Sequence, residues 1–343
     1  MELIKSAGRF LLHRCGGLRL LSLPLGSGLK ILMYHNFPAS ERKSYERQFE
    51  FLSRRYQFVS LDQVADALRG GAALPPNPMA ITVDDGYRDF LMVAHPVLKS
   101  YGIPATVFLY TDFLDGVEWP WWDKVEYACR ETTVQDAEIE CGQGRQVRLS
   151  LRTIEQRQAS ALELCDRVKE LPLLAQKGFL NTLQRVLKIQ RPYAPPPSLA
   201  PLSWDDVRSL AAEGVDFGAH TKSHCILSKV QGEKALIGEI VGSRRRIAEE
   251  LGKEPAHFCY PNGRMEDIGE RVRTIVSQAG FLSAVTTEDG FNDTETDPFL
   301  LRRIGIDPWF PDHVFRERVA GAKVLKKKLR GAGAEESRFA AAG

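Results

Sequence analysis

From residue 30 onward, apolar residues arrive in short unbroken runs, and between those runs they recur every three or four positions. Short apolar runs read as buried strands, and the three-to-four spacing reads as helices with one face on a core. The pattern predicts strands at residues 30–35, 79–83, 105–110, 215–219, 257–260, 282–286 and 301–306. Between them it predicts helices at 45–56, 61–69, 88–101, 203–213, 233–251, 267–279 and 312–325. Phe49 and Leu52 share one side of the first helix, Gly70-Gly71 ends the second, and Ser203 with Asp206 makes a capping box with a short acid. Repeated strand-helix units predict a parallel sheet or a barrel, and seven strands favour a barrel.

The alternation breaks between about 115 and 201. That stretch opens on Trp119-Pro120-Trp121-Trp122, continues through charged, helical-looking segments and closes on Pro195-Pro196-Pro197. It reads as a helical subdomain inserted into the barrel. Its tryptophans either dock it on the core or, as Trp121 and Trp122 would, present flat apolar faces to sugar rings. The expected organisation is therefore a basic segment over 1–28, an α/β domain over 29–325 with the helical insert, and a basic then low-complexity tail over 326–343.

Charge and composition narrow the class. The 343 residues carry 46 basic and 44 acidic side chains, a net charge of +2, so no global field points to nucleic acid as partner. Six cysteines stand far apart with no C-x-x-C pair, which argues against a zinc ribbon or a disulfide scaffold and for reduced thiols in the cytoplasm. No run of about 18 apolar residues exists to cross a membrane. Near the N-terminus Lys5, Arg9, Arg14 and Arg19 are interleaved with many leucines, and His13-Arg14 interrupts the apolar core that a signal peptide needs. The expectation is an uncleaved amphipathic segment either packed on the domain or lying on an anionic membrane surface at the inner face.

Three loops at strand ends carry candidate chemistry. The run Ile81-Thr82-Val83 stops on Asp84-Asp85-Gly86, and neighbouring carboxylates on an extended chain point apart, so one can bind a cation while the other handles protons. His220 and His224 follow another strand, four residues apart. In a single helical turn both rings would face one ion, and two imidazoles with one carboxylate suit zinc or another divalent metal. Pro261-Asn262-Gly263 makes a tight turn whose exposed amides suit a developing oxyanion.

These residues carry a resemblance. Thr82-Val83-Asp84-Asp85-Gly86 resembles the T-F-D-D-G motif, and His220-Thr221-Lys222-Ser223-His224 the H-S/T-x-x-H motif, of the NodB-homology polysaccharide deacetylases, carbohydrate esterase family four. The resemblance covers about residues 30–323 apart from the insert. It implies a distorted (β/α) barrel, Asp84 as general base, and one divalent metal ion on Asp85, His220 and His224: zinc, with cobalt, nickel, iron or manganese as alternatives. It implies an acetylated carbohydrate as substrate.

The chain departs from that family's R-x-P-Y motif. Cys259 stands where the arginine would be and Asn262 where the tyrosine would be, so Asn262 contributes its backbone amide and Arg303 or Arg264 must replace the arginine beside the base. Tyr260 is a further candidate for substrate contact. The usual late histidine is also missing, His313 being the one histidine after His257. A subgroup resembling the poly-N-acetylglucosamine deacetylases places the acid on an early strand in a Tyr-His pair, which Tyr34-His35 matches. The implied reaction is removal of N-acetyl groups from an amino-sugar polysaccharide. The competing readings are an O-acetyl carbohydrate esterase, a lipid-linked sugar deacetylase or deformylase, and a non-catalytic carbohydrate-binding protein.

Overall fold

The computed structural model of the protein describes residues 28–321 except 143, 191, 193 and 308, and gives the backbone alone for 173, 174 and 177. The basic N-terminal segment and the tail from 326 lie outside the described residues. Among the described residues no helix is long and apolar enough to cross a membrane.

Ten strands follow in chain order: β1 (Lys30–Tyr34), β2 (Gln57–Phe58), β3 (Pro78–Val83), β4 (Ala105–Leu109), β5 (Asp136–Glu140), β6 (Gln146–Ser150), β7 (Asp216–Ala219), β8 (His257–Cys259), β9 (Ser283–Val285) and β10 (Ile304–Gly305). Seven form one parallel sheet in the order β10-β1-β3-β4-β7-β8-β9, with the short β2 paired to the start of β3. The sheet curls until its edges approach, where a parallel bridge joins Val285 to Leu301. These are the seven strands expected from the sequence. The last is shorter than 301–306, because Leu301 pairs with β9 before Ile304 crosses to β1.

Both faces of the sheet are covered, which is why its strands read as unbroken apolar runs. Leu32, Ile81, Leu109 and Phe258 pack outward against the helices. The alternate positions Ile31, Ala80, Phe108 and Val285 fill the concave side with Val64 from helix Leu61–Leu68. Register decides where chemistry can sit. Tyr34 is opposite Val83, Leu109 is opposite Ala219, and Cys259 is opposite Val285, so the strands end level with one another. The residues that follow, His35, Asp84-Asp85, His220 and Tyr260, therefore emerge at one rim.

Most helices stand close to their expected places, and Ser203 and Asp206 form the capping box; the one expected over 312–325 ends at Val319, and residues 322–325 lie outside the described residues. Residues 88–101 differ: a π-helical turn, Phe90–Ala94, leads into a shorter α-helix, His95–Ser100. The insert differs more. Besides helices Trp121–Glu131, Ile154–Glu170 and Leu173–Val186 it contains the antiparallel hairpin β5-β6, where a purely helical unit was expected. Ile139, Val147 and Leu149 alternate with charged residues there, a period of two that the surrounding helical charge pattern masks. Together with Val125, Leu164, Val168 and Leu183 they form a core of the insert's own.

Candidate active site

The backbone at the rim is fixed before the side chains are placed. The Asp84 amide donates to the Tyr34 carbonyl at 2.9 Å and the His220 amide to the Leu109 carbonyl at 3.0 Å, which extends each ladder one residue past its strand. Beyond those bonds the chain turns hard. Asp85, Thr221, His224 and Asn262 all have positive φ, four of the six non-glycine residues that do among those described. Such conformations are sparsely populated and persist where the surroundings hold them. At Gly86 and Gly263 the turn needs glycine outright: φ is positive, and a Cβ on Gly263 would lie 2.9 Å from the Thr287 nitrogen.

Asp84 points to the concave side, onto Arg303. The guanidinium is fully buried and grips both carboxylate oxygens, Nη1 to Oδ1 at 2.7 Å and Nη2 to Oδ2 at 2.8 Å. Its remaining hydrogens go to the Thr286 carbonyl at 2.7 Å, Thr82 Oγ1 at 3.1 Å and Cys259 Sγ at 3.2 Å. Burial alone would raise the Asp84 carboxyl, but the charge and hydrogen bonds of Arg303 outweigh it and hold the group well below the usual carboxylate range. Cys259, in the arginine's position of the motif, lies 3.2 Å from Arg303 Nη2 and 3.5 Å from Asp84 Oδ2; burial keeps it a thiol. Of the two arginines considered, Arg303 reaches the carboxylate. Arg264 is exposed and pairs with Glu266.

His220, His224 and Asp85 converge, but not on a helical turn. The loop bends instead, with Thr221 and His224 in left-handed conformations, the His224 amide donating to Thr221 Oγ1 at 3.0 Å, and Glu239 accepting from the amides of Lys222 and Ser223. Local side-chain acceptors outcompete helix formation over so short a stretch. His220 Nδ1 lies 2.8 Å from the Cys259 carbonyl, which can only accept, so Nδ1 carries a proton and Nε2 is the ring atom turned toward Asp85. His220 Nε2 and His224 Nε2 stand 3.5 Å and 3.4 Å from Asp85 Oδ1. That oxygen is buried without a hydrogen-bond partner. An orphaned carboxylate oxygen facing two imidazole nitrogens, all within 4.8 Å of one another, fits a divalent cation.

Around this cluster lies a cavity of about 1000 Å³. His35 stands on its wall, 45% exposed, with Nε2 3.7 Å from Asp84 Oδ2. His313 is exposed on helix Asp312–Val319 and is not part of that wall. Asn262 lines the cavity at the tip of its turn. Tyr260 also lines it, but its hydroxyl is committed to the Phe299 carbonyl at 3.1 Å. Trp121 and Trp122 both reach the cavity, and Trp122 packs its ring on His224 at 4.6 Å, which makes it a support for a ligand as well as a wall. Trp119 is buried against Tyr127 and docks the insert.

Two residues, Asp123 on the cavity wall and Tyr87 behind it, were given no role by the sequence reading. Tyr87 directly follows the Asp-Asp-Gly turn, and its hydroxyl donates to Asp123 Oδ2 at 2.7 Å while accepting from the Trp122 indole at 3.1 Å. Burial pushes the Asp123 carboxyl up to about 8. The signal available was their adjacency to the Asp-Asp and Trp-Trp pairs.

The model of the family described as polysaccharide deacetylase matches residues 71–135 and 171–284, just over half of the chain. The chain belongs to the polysaccharide deacetylase family. The gap in the match falls on the hairpin and helix Ile154–Glu170 of the insert, so the insert is where this deacetylase-family chain departs from the common pattern. A poly-beta-1,6-N-acetyl-D-glucosamine N-deacetylase of Escherichia coli K12 is 32% identical over 89 residues, a match spanning 23% of this chain and 13% of that protein. Among solved structures, IcaB from Ammonifex degensii superposes with a TM-score of 0.54 at 19% identity, covering 86% of this chain and 96% of that one. The Streptococcus pyogenes deacetylase PplD does so at 0.53 and 18%, covering 82% and 93%. Both share the curled parallel barrel.

Proposed function

We propose that this deacetylase-family chain hydrolyses the amide of N-acetylated amino sugars in a polysaccharide, with a divalent cation, zinc by preference, held by Asp85, His220 and His224. When bound, such an ion lowers the pKa of a water molecule and polarises the acetamido carbonyl. Asp84 takes the water's proton. Arg303 keeps that carboxylate ionised and aimed; the same contact makes it a weak base, suited to a water whose acidity a bound ion would raise. The Asn262 amide, at a turn of fixed backbone, donates to the carbonyl oxygen as negative charge develops. His35 delivers a proton to the departing nitrogen.

The observation that carries this reading is His35 Nε2 facing Asp84 Oδ2 at 3.7 Å beside the Asp85, His220 and His224 cluster. An amine leaves poorly unless protonated, whereas an alkoxide ester leaving group needs less help, so a histidine beside the base favours N- over O-deacetylation. Mass spectrometry of N-acetylglucosamine oligomers and O-acetylated xylan oligomers, before and after incubation, tests it. Loss of acetyl from the first and not the second is expected. Cleavage of the xylan esters alone would replace this reading with the esterase one, and no cleavage of either, with glycan bound, would favour a binding protein.

A further inference from the structure

The insert contributes its own polar group to the cavity, and the mechanism above does not use it. Asp123 stands in the first turn of helix Trp121–Glu131, is 3% exposed, and has no ion-pair partner among the described residues. Its Oδ2 accepts the Tyr87 hydroxyl proton. The Tyr87 oxygen in turn accepts the Trp122 indole N–H, so the hydroxyl's donor and one lone pair are already engaged inside the wall. Among the described residues no protein group hydrogen-bonds Asp123 Oδ1, and that atom is not sealed from solvent. It therefore opens on the cavity that Asp123 lines. The chain Trp122 to Tyr87 to Asp123 is a polarised series of hydrogen bonds whose one unspent end lies on the wall of the cavity that His224 also lines, while Trp122 packs on the His224 ring.

We propose that Asp123 binds a ring hydroxyl of the amino sugar and so makes the insert a determinant of substrate recognition. Either form of the group serves: a carboxylate accepts from a sugar hydroxyl, and a neutral carboxyl, which burial favours here, donates to its oxygen. The Tyr87 bond holds the carboxyl in one orientation before substrate arrives, which reduces the ordering cost of binding. The assignment rests on the proposed amino-sugar substrate, but not on the reaction.

The test follows binding and turnover of an N-acetylglucosamine hexamer by the full chain, using tryptophan fluorescence for Kd and initial rates for KM and kcat. Asp123→Ala should weaken binding and raise KM about tenfold, while kcat falls by a smaller factor. Asp123→Asn, which keeps an acceptor for Tyr87, should recover part of the loss and stands in if the alanine variant does not fold. An unchanged Kd in either folded variant, or a loss confined to kcat, overturns the proposal. Wild-type protein that binds the hexamer without hydrolysing it removes the proposed reaction and leaves Asp123 to be judged on Kd alone. Wild-type protein that does not bind the hexamer overturns the Asp123 assignment itself.

Discussion

The two ends of the barrel each bury a histidine among oxygen atoms, and they use it in opposite ways. At the N-terminal end His257 is wholly buried, with Nδ1 2.9 Å from Ser283 Oγ and Nε2 3.1 Å from Asp62 Oδ1. Serine, histidine and aspartate stand in line as in a hydrolase triad, but Ser283 is fully buried and both ring nitrogens are spoken for. At the C-terminal end His220 spends Nδ1 on a backbone carbonyl and leaves Nε2 facing, with His224, a carboxylate oxygen that accepts no hydrogen bond. The backbone differs in the same sense: the left-handed residues Asp85, Thr221, His224 and Asn262 gather at the second end. Residue types do not separate a latch from a site. Unspent hydrogen-bonding capacity beside a cavity does.

The largest effects should fall on the proton-handling groups. Asp84→Asn should lower turnover of an N-acetylated oligomer by roughly 10²–10⁴-fold, and an activated acetyl ester should suffer as well, because both need the base. His35→Ala should match that loss on the oligomer and spare much of the activity on the ester, whose leaving group needs little protonation. Asp62→Asn, at the other end, should leave rates on both substrates within a few-fold. Steady-state rates on the two substrates decide it, and an Asp62→Asn loss as deep as that of Asp84→Asn would erase the distinction between the ends.

A second comparison exchanges activity for stability. His220→Ala should lose bound metal on elemental analysis while the fold stays cooperative, since it removes a ligand from an open site. His257→Ala should keep its metal and unfold more readily, by roughly 2–4 kcal/mol, because it empties a packed position and strips the buried Ser283 hydroxyl of its partner. Denaturant midpoints and metal content of the two variants, measured side by side, should move in opposite directions. Equal metal content in wild type and His220→Ala would remove that residue from the cation site.

What could be read beforehand follows the same division. The strands were legible because both faces of the sheet are buried, and the rim residues followed because a parallel register brings strand ends level. Arg303 could only be paired with Arg264 as a candidate, since its contact with Asp84 spans 219 positions and depends on where β10 crosses to β1. The helical turn that would bring His220 and His224 onto one ion is not how they meet, and spacing alone cannot see Glu239 capturing the loop's amides. The insert's hairpin was lost among charged helices, and Asp123 and Tyr87 with it, because one hydrogen bond between distant segments leaves no local pattern.

The smallest effect concerns a single proton, and it probes the contrast between the histidines most directly. Burial pulls the His220 pKa down, but Cys259, the Asp85 hydrogen bond and Asp84 act against it, and the value lies well above the ordinary 6.5. With Cys259 kept as a thiol, the carboxylates are the charged partners that matter near neutral pH. His224 goes the other way: burial and then the neighbouring His220 push it down to about 3. The cation-free site therefore favours a proton on His220, whose Nε2 a cation would occupy. A raised pKa keeps that proton in place until the pH climbs well past 6.5, so affinity for the cation should rise with pH across neutrality and weaken in acid. Zinc binding to chelator-treated protein, followed by calorimetry in buffers of different ionisation enthalpy, should release protons at pH 7, in a number read from the buffer dependence. The same count is expected for His257→Gln, whose ring lies at the saturated end. Heats that do not vary with the buffer would mean that His220 Nε2 either carries no proton or does not meet the ion.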